Sequence, residues 1–116
     1  MHNAIYVAIL TLLFAVNTGV NAGDCIKDSN GNPVCGNGQC ALDQYGKVLC
    51  ARAGGGALRD RFGDVRCGLG RCATDDQGQV MCSREPGGDA MRDTYGKVKC
   101  LGECAPAKAE LCDAAR

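Results

Sequence analysis

The chain has 116 residues, with 13 Lys and Arg balancing 13 Asp and Glu, ten cysteines, no Trp and one His. Zero net charge gives no bulk attraction to nucleic acid or to an anionic membrane surface, since both favour a basic excess. With His2 as the only imidazole, the commonest general base and every His-dependent metal site lack their reagent beyond the first residues.

Residues 1–22, MHNAIYVAILTLLFAVNTGVNA, carry an apolar run from Ala4 to Val16 and end in Val20-Asn21-Ala22. That pattern predicts a secretory signal cleaved after Ala22, and the run is too short to span a bilayer comfortably. Asp24 stands before Cys25, where a lipoprotein anchor would need a small residue. The expectation is a secreted or periplasmic protein with no membrane segment after cleavage. His2 leaves with the signal.

All ten cysteines follow the cleavage point, and in an exported chain an even, dense set predicts a disulfide framework. The remaining apolar groups explain the need for one. Only Phe62, Tyr45 and Tyr95 are aromatic there, too few to offset the conformational entropy of a small domain without cross-links.

Five segments align on Asp-x-x-Gly: CIKDSNGNPVC (25–35), CALDQYGKVLC (40–50), ALRDRFGDVRC (57–67), CATDDQGQVMC (72–82) and AMRDTYGKVKC (90–100). Each has Asp fourth, Gly seventh and Cys eleventh. Asp-x-x-Gly between short runs is the chemistry of a three-residue hairpin loop, with Asp accepting backbone hydrogen bonds and Gly in the left-handed bulge position. The predicted fold is a small disulfide-rich all-β array of tandem short β-hairpins over residues 23–103. Counting out from the turn places Asp43 opposite Lys47, Leu42 opposite Val48 and Cys40 opposite Cys50. The same count pairs Cys25 with Cys35 and Cys72 with Cys82, all in non-hydrogen-bonded slots where side chains lie closest.

The third and fifth units open with Ala57 and Ala90, so Cys67 and Cys100 need partners elsewhere. A longer period relates Cys40, Cys72 and Cys104; by that analogy Cys104 pairs with Cys112, leaving Cys67 with Cys100. A rival scheme closes Cys35–Cys40, Cys67–Cys72 and Cys100–Cys104, and spacing alone does not choose. The core face is expected to carry Leu42, Val48, Val65, Thr74, Val80 and Val98 with the cysteines, and Arg59 and Arg92 at matching positions. The first unit differs, with Pro33 in place of Val and Ile26 and Val34 on the opposite face. After the fifth unit, Pro106 and the helix formers through Leu111 predict a short C-terminal helix within 104–116, pinned by Cys112.

The chemistry is sparse. Asp28, Asp43, Asp60, Asp75 and Asp93 recur at one position, which turn capping explains at once; a hydrolase built on Asp pairs or a weak calcium site is the sharper alternative. The Cys-x4-Cys connectors would suit copper or zinc as thiolates, or redox exchange, whereas export favours disulfides. Tyr45, Phe62 and Tyr95 all precede the turn Gly. Such rings commonly fold over neighbouring turns to cover a thin core; stacked in parallel, they would instead line one edge where a protein or glycan could dock. Arg59 and Arg92 could join such a surface by clamping an anion, although Arg stems more often cover apolar surface.

The Asp-x-x-Gly-x-Val segment resembles the short hairpins of Tyr-Asp (Rhs-type) repeats over the turn and adjacent strand only, and that resemblance implies no function. The expected function is a non-enzymatic exported structural or binding module without a cofactor, with soft-metal binding or periplasmic redox chemistry as the alternative.

Overall fold

A computed structural model describes residues 23–115. The signal expected over residues 1–22, with its cleavage site and His2, lies outside the described residues. Five antiparallel hairpins follow one another: hairpin 1 from β1 (Cys25–Lys27) and β2 (Pro33–Cys35), hairpin 2 from β3 (Cys40–Leu42) and β4 (Val48–Ala51), hairpin 3 from β5 (Ala57–Arg59) and β6 (Val65–Cys67), hairpin 4 from β7 (Cys72–Thr74) and β8 (Val80–Ser83), and hairpin 5 from β9 (Ala90–Arg92) and β10 (Val98–Cys100). The expected all-β architecture is present, with register Cys40↔Cys50 and Leu42↔Val48 as counted from the turn.

The turns account for that register. Gly31, Gly46, Gly63, Gly78 and Gly96 have φ between 81° and 87°, a region open to Gly because it lacks Cβ. In hairpin 2 the Gly46 N–H donates to the Asp43 carbonyl at 3.2 Å, and the Asp43 N–H to the Lys47 carbonyl at 2.8 Å. Asp43 Oδ1 accepts from the N–H groups of Tyr45 and Lys47, both at 2.9 Å. The other four turn aspartates make the same pair of bonds. Once the turn is set, Cys25–Cys35, Cys40–Cys50 and Cys72–Cys82 face one another with Cα atoms 4.1, 4.0 and 3.9 Å apart, and all three disulfides form.

The hairpins stack face to face like plates. The Cys40, Val48 and Cys50 face of hairpin 2 packs on Ile26 and Val34 of hairpin 1. The Ala57, Val65 and Cys67 face of hairpin 3 packs on Ala41 and Leu49, the opposite face of hairpin 2. β5 then meets β7, and β7 meets β9, continuing the order to hairpin 5. The core is therefore a series of thin seams. Val48, Val65 and Val80 are buried as expected, with Cys50, Cys67 and Cys82; Leu42, Thr74 and Val98 are half-buried. Hairpin 1 has its faces reversed, with Ile26 and Val34 half-buried and Cys25 and Cys35 exposed.

Close stacking demands glycine at the joints. A Cβ on Gly36 would lie 2.3 Å from Cys50 Cβ, and one on Gly68 would lie 2.2 Å from Cys82 Cβ. The disulfide of each following plate occupies the space a side chain would need.

The C-terminal segment departs from the expected helix. It forms β11 (Cys104–Pro106), a single 3-10 turn (Ala109–Leu111) and β12 (Cys112–Ala114). β11 adds to β8 and β12 adds to β4, making two three-stranded sheets, and Lys108 bridges Cys67 between them. A helix this short is marginal on its own, whereas the open edges of β8, β6 and β4 carry unpaired backbone groups that an added strand satisfies.

The pairing of the last four cysteines is corrected by the same path. Cys67 pairs with Cys112, and Cys100 with Cys104, in place of Cys67–Cys100 and Cys104–Cys112; of the rival scheme only Cys100–Cys104 forms, since Cys35, Cys40, Cys67 and Cys72 are bonded elsewhere. Hairpin 4 stands between the plates that carry Cys67 and Cys100, so a direct bridge would have to cross it. The tail instead runs back past hairpin 3 and brings Cys112 within 5.3 Å of Cys67, Cα to Cα. Cys100–Cys104 closes a local loop through Gly102, at φ 74°.

Candidate binding edge

Stacking the hairpins also stacks their turns. The Gln44 N–H of turn 2 donates to the Gly63 carbonyl of turn 3 at 2.9 Å, and the Asp76 N–H of turn 4 to the Gly96 carbonyl of turn 5 at 2.8 Å. Gly46 lies against Ser29 of turn 1, and Gly78 against Arg61 of turn 3. The residues before the turn glycines therefore follow one another along one edge: Asn30, Tyr45, Phe62, Gln77 and Tyr95.

Tyr45 is 83 % exposed, Phe62 64 % and Tyr95 84 %. The rings do not fold over their neighbours to cover the core. They project from turns whose backbones are fixed by hydrogen bonds on three sides, so little freedom is lost if a partner packs on them.

The chemistry concentrates around Phe62. The Arg61 guanidinium sits over one face of the ring, with Cζ 4.9 Å from the centroid, a distance at which cation–π attraction acts. Arg61 Nη1 also donates to the Gln77 carbonyl at 2.9 Å, tying turn 3 to turn 4. Arg66 Nε lies 3.1 Å from Asp60 Oδ2, and the Asp60 side chain is only 10 % exposed. Burial by itself would raise the Asp60 pKa; the Asp64 N–H, the Arg66 guanidinium and the Phe62 N–H outweigh it and hold the carboxyl below its ordinary value. The Asp93 carboxyl is likewise held low, first by the Lys97 N–H and then by that of Tyr95 and the charges of Lys99 and Lys97, against a smaller opposing effect of burial.

A cleft of about 330 Å³ opens beside this group, lined by Asp60, Arg61, Phe62, Arg66, Gln77 and Gln79 over a floor of Val80 and Ala107. A larger opening of about 720 Å³ lies between hairpins 1 and 2 and β12. Its walls are backbone, disulfide-bonded cysteines and small side chains, with Asp113 as the one charged group, so it offers little to recognise a ligand.

Arg59 and Arg92 are exposed, at matching positions of hairpins 3 and 5 with hairpin 4 between them. The structure does not bring them together as a clamp, and neither lines the cleft. Arg61, Arg66, Gln77 and Gln79 do line it, and the sequence reading passed over them. Their signal was the column itself: once turns stack in chain order, Gln77 must follow Phe62 along the edge.

Each of the ten cysteines is in a disulfide, so no thiolate remains to hold copper or zinc. Among the described residues no three His, Cys, Asp or Glu side chains group as metal ligands. Among the same residues no helix is long and apolar enough to cross a membrane. Five disulfides are consistent with an oxidising compartment. The chain matches no protein-family model, no curated protein and no solved structure. The fold and edge define a disulfide-stapled stack of β-hairpins.

Proposed function

We propose that the protein is an exported, non-enzymatic binding module, secreted or periplasmic, whose turn edge presents Tyr45, Phe62 and Tyr95 to a protein or glycan. The observation that carries this reading is the outward projection of three aromatic rings in a chain otherwise so short of large apolar groups. A domain with so little core has every reason to bury its rings, and each is held away from it by a hydrogen-bonded turn. The absence of His after residue 22 and the commitment of all five turn aspartates to backbone N–H groups support the non-enzymatic part.

The test is capture of binding partners from the envelope and culture fluid of the native host by immobilised protein. Wild type is expected to retain a partner that Tyr45→Ala, Phe62→Ala and Tyr95→Ala together release; capture unchanged by the triple substitution would sink the edge. Intact mass separates the thiol-based alternative, since five disulfides remove ten hydrogens whereas free thiols with bound copper or zinc would not.

A further inference from the structure

We propose that the cleft between hairpins 3 and 4 is a saccharide subsite, which holds one pyranose ring of a glycan stacked on the open face of Phe62. This rests on the turn-edge reading above and names the partner class at its centre.

Four observations converge on it. The Phe62 ring is 64 % exposed, and Arg61 covers one face, so the other stands as a rigid flat platform. A sugar ring presents a face of C–H groups that packs on such a platform, because the π-face of an aromatic ring is negative. The polar groups around the ring, Gln77, Gln79, Arg61, Arg66 and Asp60, carry amide, guanidinium or carboxylate planes, which match pairs of adjacent hydroxyls.

One of the two cations is neutralised within the cleft. Arg66 is paired with Asp60, whereas Arg61 is held by the Phe62 ring and the Gln77 carbonyl without a carboxylate partner, so the lining keeps one positive charge and accepts a neutral or an acidic sugar. The volume, about 330 Å³, is at the low end of small-ligand sites. Its only buried apolar surface is Val80 with half-buried Ala107, which gives no deep pocket for the large side chains that anchor protein partners. The ladder edge of β8 is already filled by the tail, so no strand of a partner can add there.

The test is a titration of the full disulfide-bonded protein with cellotriose, chitotriose, maltotriose and the acidic trigalacturonate, followed by amide shifts in nuclear magnetic resonance. At least one trisaccharide is expected to shift the amides of Phe62, Gln77 and Gln79. Phe62→Ala and, independently, Gln77→Ala should each weaken that binding about tenfold, whereas Tyr95→Ala leaves it within about twofold. Phe62 and Gln77 are exposed, so folding is checked by an unchanged amide spectrum elsewhere. No shift with any of the four sugars overturns the subsite, as does binding that survives both substitutions. If the sugars fail while the triple aromatic substitution still abolishes partner capture, the edge binds protein and only the saccharide assignment falls.

Discussion

At the scale of single residues, Asp60 does two jobs with one side chain. Asp60 Oδ1 accepts from two turn N–H groups while Oδ2 receives Arg66. Because its folded pKa is lowered, its contribution to stability is complete above the unfolded value of roughly 3.9 and is lost as pH falls through the folded value. Asp60→Asn keeps an acceptor for the turn but loses the ion pair, and should cost about 1 kcal/mol at neutral pH. The gap in Tm between wild type and Asp60→Asn, measured across pH, should narrow below pH ~4; a gap that stays constant into strong acid would contradict the role given to this pair. Gly68 is constrained from outside its own backbone, by Cys82 of the next plate. Gly68→Ala should destabilise by about 1–3 kcal/mol through overpacking, and an unchanged urea midpoint would show that the plates are looser than described.

At the scale of elements, each hairpin is a complete local unit, and three of them are stapled across their open ends. The Cys40–Cys50 bond links residues ten apart, and the chain-entropy treatment assigns a loop of that size about 2.7 kcal/mol. Replacing both cysteines with Ala should cost about that much in urea unfolding, with the turn retained; a much smaller loss would mean that stacking alone aligns the strands. The series of plates also has a defined end. The residue after each closing cysteine donates its N–H to the residue before the opening position: Gly36 to Asp24, Ala51 to Gln39, Gly68 to Gly56, Ser83 to Arg71 and Leu101 to Asp89. In the first four hairpins that residue is small and lies beneath the next plate. In hairpin 5 it is Leu101, 61 % exposed, too large to admit another plate at the same spacing.

At the scale of the whole molecule, the tail converts a row of hairpins into one body. It leaves hairpin 5, lies along β8, touches Cys67 of hairpin 3 through two backbone hydrogen bonds at 2.8 and 3.0 Å, and ends along β4. Each contact fills a strand edge that would otherwise invite pairing with another chain. Cys67–Cys112 spans 45 positions and locks this path, whereas Cys100–Cys104 spans four. The same entropy treatment gives about 4 kcal/mol for the first and about 2 kcal/mol for the second. Cys67→Ser with Cys112→Ser should therefore destabilise about twice as strongly as Cys100→Ser with Cys104→Ser, and should speed hydrogen exchange at Ala107 and Lys108. Peptide mapping after partial reduction tests the premise directly: a fragment joining Cys67 to Cys100 would refute it.

The amino-acid sequence by itself determined whatever is settled within eleven residues. Asp-x-x-Gly specifies the turn, the turn specifies the register, and the register brings Cys25, Cys40 and Cys72 to their partners, because each of these steps involves neighbours along the chain. The alternation along each strand likewise indicated which residues face the seams, as at Val48, Val65 and Val80, and the reversed faces of hairpin 1. Three features were decided only by tertiary structure. The segment from Cys104 became strand rather than helix because the edges of β8 and β4 offered it backbone partners that local propensity does not register. Cys112 reached Cys67 because the tail doubles back along the stack, a path set by those edges and not by the spacing of cysteines. Gln77 and Gln79 came to line one cleft with Phe62 because face-to-face packing of successive plates lines up their turns, a juxtaposition of residues distant in sequence that no single repeat contains.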